Sequence, residues 1–414
     1  MGISTDTSLR RELIFLSVLL MLAALFTSRF LLSVSLIAFV LACCAHKNFT
    51  KQLSTFLKNP FLIAISLLFF IPFITWFWSE DKMQWWRWTR IKLPLFLLPV
   101  CFAGNWQLSK RHWNAIAFSF LFLVTAGCCW SLWSYARNPE AVHEAYLKAK
   151  VIATPLRDDH VRYSLLVSEA VVCAFYMMRN EEKKKIKIVL GFVLAFFVVY
   201  LHILSARTGL VALYIFLFLL LVHLIVSLKN RQRTWMLAAL ILLMPVAAWF
   251  LLPTFQNRIR YLIYDFSFTR AGQYLPGAND GNRIRSLEAG WSIVKDHPFG
   301  VGSGDVWQAT TEWYAVHIPG LVPSDLVYPS SEWLLYGAAA GWAGMIAFTL
   351  IMLLPFLVRK QDRVSWVSLN MMSAFSLLFD VGLETQFGVF IYAFLLLWWW
   401  KWQKAQGDAS VLGR

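Results

Sequence analysis

The sequence predicts an all-α polytopic membrane protein with about 12 transmembrane helices and one large periplasmic loop that carries amphipathic helices. Of the 414 residues, 59% are hydrophobic and only 15% are charged, whereas ordinary soluble domains carry roughly 25% charged and about 45–50% apolar residues. A soluble chain of this length would need far more charge to cover its surface. The composition therefore excludes a soluble globular enzyme, and most of the chain is expected to face lipid.

Apolar runs recur along the chain at or near the length of about 17–25 residues that crosses a hydrocarbon core of roughly 30 Å as a helix. They cover residues 12–28, 30–46, 61–79, 92–105, 113–134, 160–178, 186–204, 208–228, 233–252, 331–357, 363–381 and 385–401. The run at 92–105 is short, and the run at 208–228 follows its predecessor after only a few residues. The bounds of these two spans stay open. The first run lacks an A-x-A-like cleavage site, so it predicts a span rather than a signal peptide.

These runs divide the chain into three parts. Residues 1–252 carry the first nine predicted helices, 253–330 form one long segment on the outer side, and 331–414 carry the last three helices and a cytoplasmic tail. An even number of spans places both termini on one side, and cytoplasmic loops retain Lys and Arg. Both termini are therefore expected in the cytoplasm. The basic residues that favour this orientation are Arg10, Arg11, Lys47, Lys51, Lys58, Lys110, Arg111, those within 179–187, Lys229, Arg231, Arg233, Arg359, Lys360 and Arg363.

Three basic segments fall on the predicted outer side: 82–92, 137–162 and 253–330. Cations at an outer membrane edge suit an anionic partner such as a lipid-linked phosphate or pyrophosphate, because a guanidinium grips phosphate oxygens with two hydrogen bonds. The alternative for the longest segment is that long loops are translocated regardless of charge. The tryptophans at 85, 86 and 88 favour an interfacial anchor over a sugar or nucleic-acid site.

Arg207 lies in the short sequence Ser205-Ala206-Arg207-Thr208-Gly209 between two apolar runs. A guanidinium so close to the membrane boundary is costly and indicates a function. The alternative is a side chain at a helix end that extends to the interface.

The segment 253–330 contains a predicted amphipathic helix. Apolar residues recur at helical spacing from Ile284 to Val294, Asn282 is a candidate N-cap, and the helix should end before Pro298. The following glycine-rich stretch, 300–305, favours positive φ angles. It lacks the Lys-Ser/Thr of a nucleotide-binding loop, so a compact turn back to the membrane is expected.

Cysteine and histidine patterns predict neither disulfides nor a metal site. All six cysteines fall within predicted spans, and there is no C-x-x-C or H-E-x-x-H motif. No metal and no cofactor are therefore expected.

The order of motifs over about 195–350 resembles the O-antigen ligase and polymerase superfamily. The motifs are S-x-R-T-G before a span, an arginine that opens the loop helix, H-P-F-G-V-G-S-G-D, and the return segment Ser330-Ser331-Glu332-Trp333. The resemblance implies metal-independent, inverting transfer of a glycan from undecaprenyl pyrophosphate at the periplasmic face of the bacterial inner membrane. O-antigen transfer to lipid A-core is the expected reaction. An O-antigen polymerase and a protein O-oligosaccharyltransferase remain open, and a lipid-linked glycan transporter is a fourth alternative.

The resemblance also implies roles for individual residues. Arg207 and Arg283 are expected to bind the pyrophosphate as it leaves the sugar, since preorganised guanidinium groups stabilise the charge that develops there. Further contacts to the phosphates or the glycan are expected from Arg162, Arg87 or Arg90, and His317. Membrane lipids are expected partners and nucleic acid is not.

Ser330 departs from the family pattern, which usually has His-Asn where this chain has Ser330-Ser331. A serine hydroxyl cannot replace imidazole as a general base near neutral pH. The substitutes available for this role are Glu332, His317 and His297. Helix capping by at least one of the two serines is the alternative to a catalytic role for Ser330.

Overall fold

A computed structural model describes residues 3–157, 159–227, 231–358 and 362–412, and over these residues the protein is helical without strands. The basic residues Lys229, Arg359 and Lys360, used above for orientation, lie outside the described residues. The helices of the first half are α1 Ile3–Thr27, α2 Arg29–Cys44, α3 Phe49–Leu57, α4 Pro60–Ile74, α5 Lys82–Lys92, α6 Pro94–Phe102, α7 Lys110–Arg137, α8 Pro139–Tyr146, α9 His160–Asn180 and α10 Lys184–Leu204. Those of the second half are α11 Arg207–Ser227, α12 Arg231–Leu251, α13 Pro253–Arg270, α14 Asp280–Asp296, α15 Val306–His317, α16 Glu332–Leu353, α17 Arg363–Phe379, α18 Gln386–Phe390 and α19 Leu396–Leu412.

Among the described residues, seven helices are long and apolar enough to cross a membrane, or eight if α2 and α3, bent by 102° to each other, form one broken span. The seven are α4 with the 3-10 turn after it (Pro60–Phe77), α7, α9, α10, α11, α12, and α16 with the turn after it (Glu332–Leu357). The all-α polytopic prediction is confirmed. The predicted count of twelve is higher than the seven or eight spans that these helices support.

Several of the remaining apolar runs are short or interrupted in the structure, although α1 is an unbroken helix of 25 residues. Residues 92–105 contain only the nine-residue α6, which begins at Pro94 and contains Pro99. The last run is divided among α18, a π-helical turn at Ile391–Leu395 and α19. Proline removes a backbone donor and crowds the preceding turn, and apolar content alone does not reveal such breaks.

Helix α9 lies at the centre of the bundle and α12 at its edge. Of the apolar window of α9, 78% is buried, against 6% for α12. Ser168 of α9 donates a hydrogen bond to the carbonyl oxygen of Gly209 in α11 at 2.8 Å. Gly209, the third residue of α11, also packs against Ser164, the fifth residue of α9, so α9 and α11 begin at the same end of the bundle.

The predicted loop helix is present as α14, but it begins at Asp280 and not at an Asn282 N-cap. Asp265 of α13 accepts hydrogen bonds from the backbone nitrogens of Asn279, Asp280 and Gly281 at 2.8, 2.7 and 3.1 Å. A carboxylate from another helix thus satisfies the amides at this N-terminus, and no local cap is needed.

The glycine-rich turn fastens the loop to the membrane helices. Gly300 and Gly302 have φ angles of 80° and 93°, which confirms the predicted positive values. Asp305 accepts hydrogen bonds from the backbone nitrogens of Glu80 and Asp81 at 2.7 and 2.9 Å. The turn also donates from the backbone nitrogen of Val301 to the carbonyl of Ala338 in α16 at 2.8 Å. It therefore packs between the α4–α5 connection and α16.

Candidate functional site

Arg207 is the first residue of α11 and forms an ion pair with Asp280, the first residue of α14. Helix α10 ends at Ser205, whose left-handed backbone conformation (φ 51°) turns the chain sharply into α11. The Arg207 side chain is 33% exposed and that of Asp280 13%. Helix α11, a candidate membrane span, and helix α14 of the segment between α12 and α16 therefore meet at this pair.

Arg283 lies one turn further along α14 than Asp280 and is largely buried. Burial lowers the pKa of the Arg283 guanidinium, the carboxylates of Asp380 and Asp280 oppose this shift, and the charge of Arg207 adds to it. Arg207 and Arg283 therefore lie close enough to interact, with Asp280 near both. The structure brings together the two arginines that the sequence singled out.

Arg162, near the start of α9, joins the same cluster. Its guanidinium donates to the Asp159 carboxylate at 2.6 Å and to the carbonyl oxygen of Val381 at 2.8 Å. It also forms an ion pair with Asp380 at 3.2 Å. Asp380 interacts with Arg283 as well, so this one carboxylate connects α9 with the loop helix.

Arg258 of α13 is a fourth member that the sequence did not single out. Burial lowers the pKa of its guanidinium, and the charge of Arg207 lowers it further. Arg207, Arg258 and Asp280 line a cavity of about 130 Å³ together with Ser205. We refer to Arg162, Arg207, Arg258 and Arg283 as the arginine cluster.

Glu332, the first residue of α16, is fully buried beside this cluster. Its Oε1 accepts a hydrogen bond from the backbone nitrogen of Leu383 at 2.5 Å, while its Oε2 has no hydrogen-bond partner within the described part of the chain. Its carboxylate lies near Arg162. The neighbouring Glu384 forms an ion pair with the buried Lys92.

Ser330 contacts the loop helix one turn beyond Arg283. Its Oγ accepts a hydrogen bond from the Ser286 hydroxyl at 2.8 Å, and its backbone nitrogen donates to the same hydroxyl at 3.2 Å. The N-cap residue of α16 is Ser331, whose side chain makes no capping hydrogen bond. Side-chain capping by these serines, the alternative noted above, is not what the structure shows.

Three of the sequence-predicted residues lie at the surface. Arg87 and Arg90 are exposed on α5, and Arg87 lines a second cavity of about 380 Å³ with Trp307 and Tyr328. His317 is exposed at the end of α15, where its ring stacks on Trp313 with centroids 4.3 Å apart. Within the described ranges, no contact joins Arg90 or His317 to the arginine cluster.

The site residues that the sequence did not indicate are mainly the acidic partners of the arginines. Asp280 stands one turn before Arg283, where an acidic residue favours a helix N-terminus. Asp380 lies at the end of a predicted span, and its spacing from Arg162 gives no signal of their contact. The described residues contain no group of three His, Cys, Asp or Glu side chains placed to hold a metal ion.

Fold and site together define a multi-pass helical membrane protein that gathers four arginines, from α9, α11, α13 and α14, into one cluster. Residues 190–349 match the family model described as Wzy_C, O-antigen ligase. This part of the chain therefore belongs to the O-antigen ligase family, a family of glycosyltransferase-type enzymes, and the resemblance inferred from the motifs is confirmed.

The matched residues include Arg207, Arg258, Arg283, Ser330 and Glu332, whereas Arg162 lies before them. The family acts by O-antigen ligase or polymerase-type glycan transfer on lipid-linked glycans. A comparison with curated proteins finds no match.

Proposed function

We propose that this protein transfers a glycan from undecaprenyl pyrophosphate to an acceptor hydroxyl at the periplasmic face of the inner membrane, with lipid A-core as the acceptor. The observation that carries the proposal is the arginine cluster, in which Arg207 and Arg283 approach one carboxylate, Asp280, from a span and from a loop helix. A diphosphate presents several oxygens to such donors, and each guanidinium binds two of them in a planar fork.

The leaving diphosphate gains negative charge as its bond to the anomeric carbon breaks. Arg207 and Arg283 are proposed to donate hydrogen bonds to its oxygens, and Arg258 and Arg162 to add positive potential. Their partial burial strengthens this effect, because charges interact more strongly where water is excluded. Asp280 holds the Arg207 guanidinium in place and is the group with which a diphosphate competes.

Glu332 is proposed to take the proton of the acceptor hydroxyl. One of its oxygens is held by the backbone nitrogen of Leu383, and Oε2 has no partner within the described residues. The acceptor oxygen then bonds to the anomeric carbon, the bond from that carbon to the diphosphate breaks, and the configuration inverts. The Ser330 hydroxyl lies 2.8 Å from that of Ser286 and is proposed to orient a substrate oxygen.

The cavity at Arg87 is proposed to hold a sugar ring of one substrate. The rings of Trp307 and Tyr328 lie 4.6 Å apart between centroids, and Gln84 donates to the Tyr328 hydroxyl at 2.9 Å. Aromatic faces pack against the apolar face of a sugar, while amides and charged groups bind its hydroxyls. Tyr328 precedes Ser330 by two residues, so their Cα atoms are at most about 7.6 Å apart.

The topology follows from the same proposal. With eight spans, α2 and α3 counted as one, the basic residues at the ends of the spans favour cytoplasmic termini on one side, and helices α13, α14 and α15 are then proposed to form the periplasmic loop. The catalytic residues Arg207 and Arg283 would face the compartment in which lipid-linked O-antigen is present.

The acceptor is identified by a transfer assay on purified protein reconstituted in lipid nanodiscs. The donor is an undecaprenyl-pyrophosphate oligosaccharide, and the acceptors are lipid A-core, a second lipid-linked oligosaccharide, or a Ser- and Thr-containing peptide. We expect transfer to lipid A-core in the wild type. Formation of a polymer on the second lipid-linked oligosaccharide would instead favour an O-antigen polymerase. Formation of a glycopeptide would favour a protein O-oligosaccharyltransferase.

Matched arginine variants test the residue roles in this assay. Arg207→Ala and Arg283→Ala should each reduce the rate by about 10²–10³, the range for loss of one charge-stabilising donor. Arg260→Ala, which removes an exposed arginine of α13, should leave the rate unchanged. Transfer at the wild-type rate in both cluster variants would overturn the assigned roles.

A further inference from the structure

A cavity of about 890 Å³ lies at the end of the bundle opposite the arginine cluster. It is formed where α7, α9, α10 and α19 meet the segment 105–108. Helix α9 carries Arg162 near its start and lines this cavity at its last residue, Asn180. Eighteen residues of helix separate the two, or about 27 Å at 1.5 Å per residue.

Lysines supply most of the charge in this cavity. Lys110, Lys183, Lys401 and Lys404 line it, against the carboxylates of Glu181 and Glu182. Glu181 already accepts hydrogen bonds from the backbone nitrogens of Glu182 and Lys183, both at 3.0 Å. The cavity therefore carries an excess of positive charge.

One of the lysines is fixed in place by the wall of the cavity. Lys401 donates to the carbonyl oxygen of Gly104 at 2.5 Å and lies over the Trp106 ring, 4.7 Å from its centroid. Lys404 lies 5.8 Å from the centroid of the Trp400 ring. These contacts hold the two cations at the rim of the cavity.

The rest of the lining is apolar and aromatic. Trp106, Trp113, Phe118 and Ile186 contribute to it. The Nε1 of Trp113 is a buried donor that, within the described residues, has no hydrogen-bond partner. Buried donors are normally paired, so this nitrogen is available to an acceptor inside the cavity.

We propose that this cavity binds the headgroup and the adjoining acyl carbons of an anionic phospholipid. The phosphate group would accept from Lys110, Lys404 and Trp113, and the acyl carbons would contact Phe118 and Ile186. Basic cavities between membrane helices at the cytoplasmic side bind such headgroups, and the basic residues around this end favour that side. The volume lies within the range of about 300–1,000 Å³ for ligand cavities.

This site is separate from the proposed glycan transfer, and its occupant would stabilise the contact among four helices without entering the reaction. Lipid binding and glycan transfer can therefore fail independently. The same donors could also bind inorganic phosphate. The apolar wall of the cavity is the feature that favours a lipid.

The test is lipid retention by the purified full-length protein, measured by native mass spectrometry after incubation with equal amounts of phosphatidylglycerol and phosphatidylethanolamine. The wild type should retain phosphatidylglycerol preferentially. Lys110→Gln combined with Lys404→Gln should weaken retention about 25-fold, because each lysine near an anionic headgroup contributes about fivefold to affinity. Lys184→Gln combined with Lys185→Gln is the control, since these exposed lysines of α10 do not line the cavity.

Two further measurements complete the test. Trp113→Phe keeps an aromatic ring and removes the donor, so it should also reduce retention if the first variant does not fold. Thermal protection should require phosphatidylglycerol and not appear with inorganic phosphate. Equal retention of both lipids, equal losses in the lysine variant and its control, or full protection by inorganic phosphate would overturn the proposal.

Discussion

Arg207 and Asp280, the first residues of α11 and α14, form the ion pair that joins a candidate membrane span to the segment between α12 and α16. Arg258 and Arg283 also lie within range of this pair. Asp280 thus faces three guanidinium groups, and Asp380 also faces one of them, that of Arg283. Because the cations come from separate helices, a diphosphate bound among them would connect α11, α13 and α14.

In the absence of ligand, Asp280→Asn should lower the free energy of unfolding. The same change should increase the stabilisation that a bound diphosphate provides. Asn cannot neutralise the neighbouring guanidinium groups, and their repulsion should cost about 1–3 kcal/mol in the free energy of unfolding. The same change removes the carboxylate that competes for Arg207. Thermal unfolding with and without undecaprenyl pyrophosphate measures both effects.

Asp296→Asn is the control for this change, because Asp296 is exposed at the other end of α14. It should alter neither the unfolding temperature nor the effect of the diphosphate. If Asp280→Asn lowers stability by the same amount with and without the diphosphate, the carboxylate and the ligand do not share Arg207.

The sequence predicted Arg207 and Arg283 because a charged residue beside an apolar run and an arginine opening a helix are local signals. It did not predict their common neighbour Asp280 or the contact of Arg162 with Asp380, since both join segments far apart in the chain. The count of twelve spans was too high for a related reason. Hydropathy records apolar length, whereas breaks such as those around α6 depend on proline placement and on packing.

Glu332→Gln should slow glycan transfer by about 10²–10⁴, the usual contribution of a positioned general base, while donor affinity stays unchanged. The glutamine carbonyl can still accept from the backbone nitrogen of Leu383, so the local structure is preserved. Single-turnover transfer measures the rate, and Glu288→Gln, an exposed position of α14, is the control. A wild-type rate in Glu332→Gln would show that another group accepts the proton.

Trp307→Ala should raise the KM for the glycan substrate about tenfold and change kcat little. Loss of an aromatic face costs roughly 0.5–1.5 kcal/mol beyond lost area, and about 1.4 kcal/mol corresponds to tenfold in affinity. Steady-state transfer at varied concentrations of donor and of acceptor identifies which substrate uses the cavity. Trp86→Ala, an exposed tryptophan outside the cavity lining, should have no effect. An unchanged KM for both substrates would show that neither substrate uses the cavity.

Asp325 should make the loop sensitive to acid. Burial raises the pKa of its carboxyl group, but hydrogen bonds from the Tyr274 hydroxyl and the Gly277 nitrogen, at 2.6 and 2.8 Å, outweigh this and lower the pKa below its ordinary value of 3.8. The stabilisation is fully present above that ordinary value and is lost as the pH falls through the lower pKa of the folded state.

Hydrogen exchange of the loop amides between pH 5 and pH 2 follows this transition, after correction for the intrinsic pH dependence of exchange. Asp325→Asn should lose protection near Gly277 already at neutral pH and show no further acid-dependent loss there. Acid sensitivity of the same size in the variant would assign the effect to another carboxylate.

Binding of undecaprenyl pyrophosphate by calorimetry in nanodiscs tests the central claim, that Arg207 and Arg283 hold one diphosphate together. Each single alanine variant should bind about 10–100-fold more weakly, since a hydrogen bond to a charged group contributes about 1.5–3 kcal/mol. The double variant should deviate from the sum of the single effects, because neighbouring groups on a shared ligand are coupled, and Arg260→Ala should bind as the wild type does. Wild-type affinity in both single variants would contradict the account.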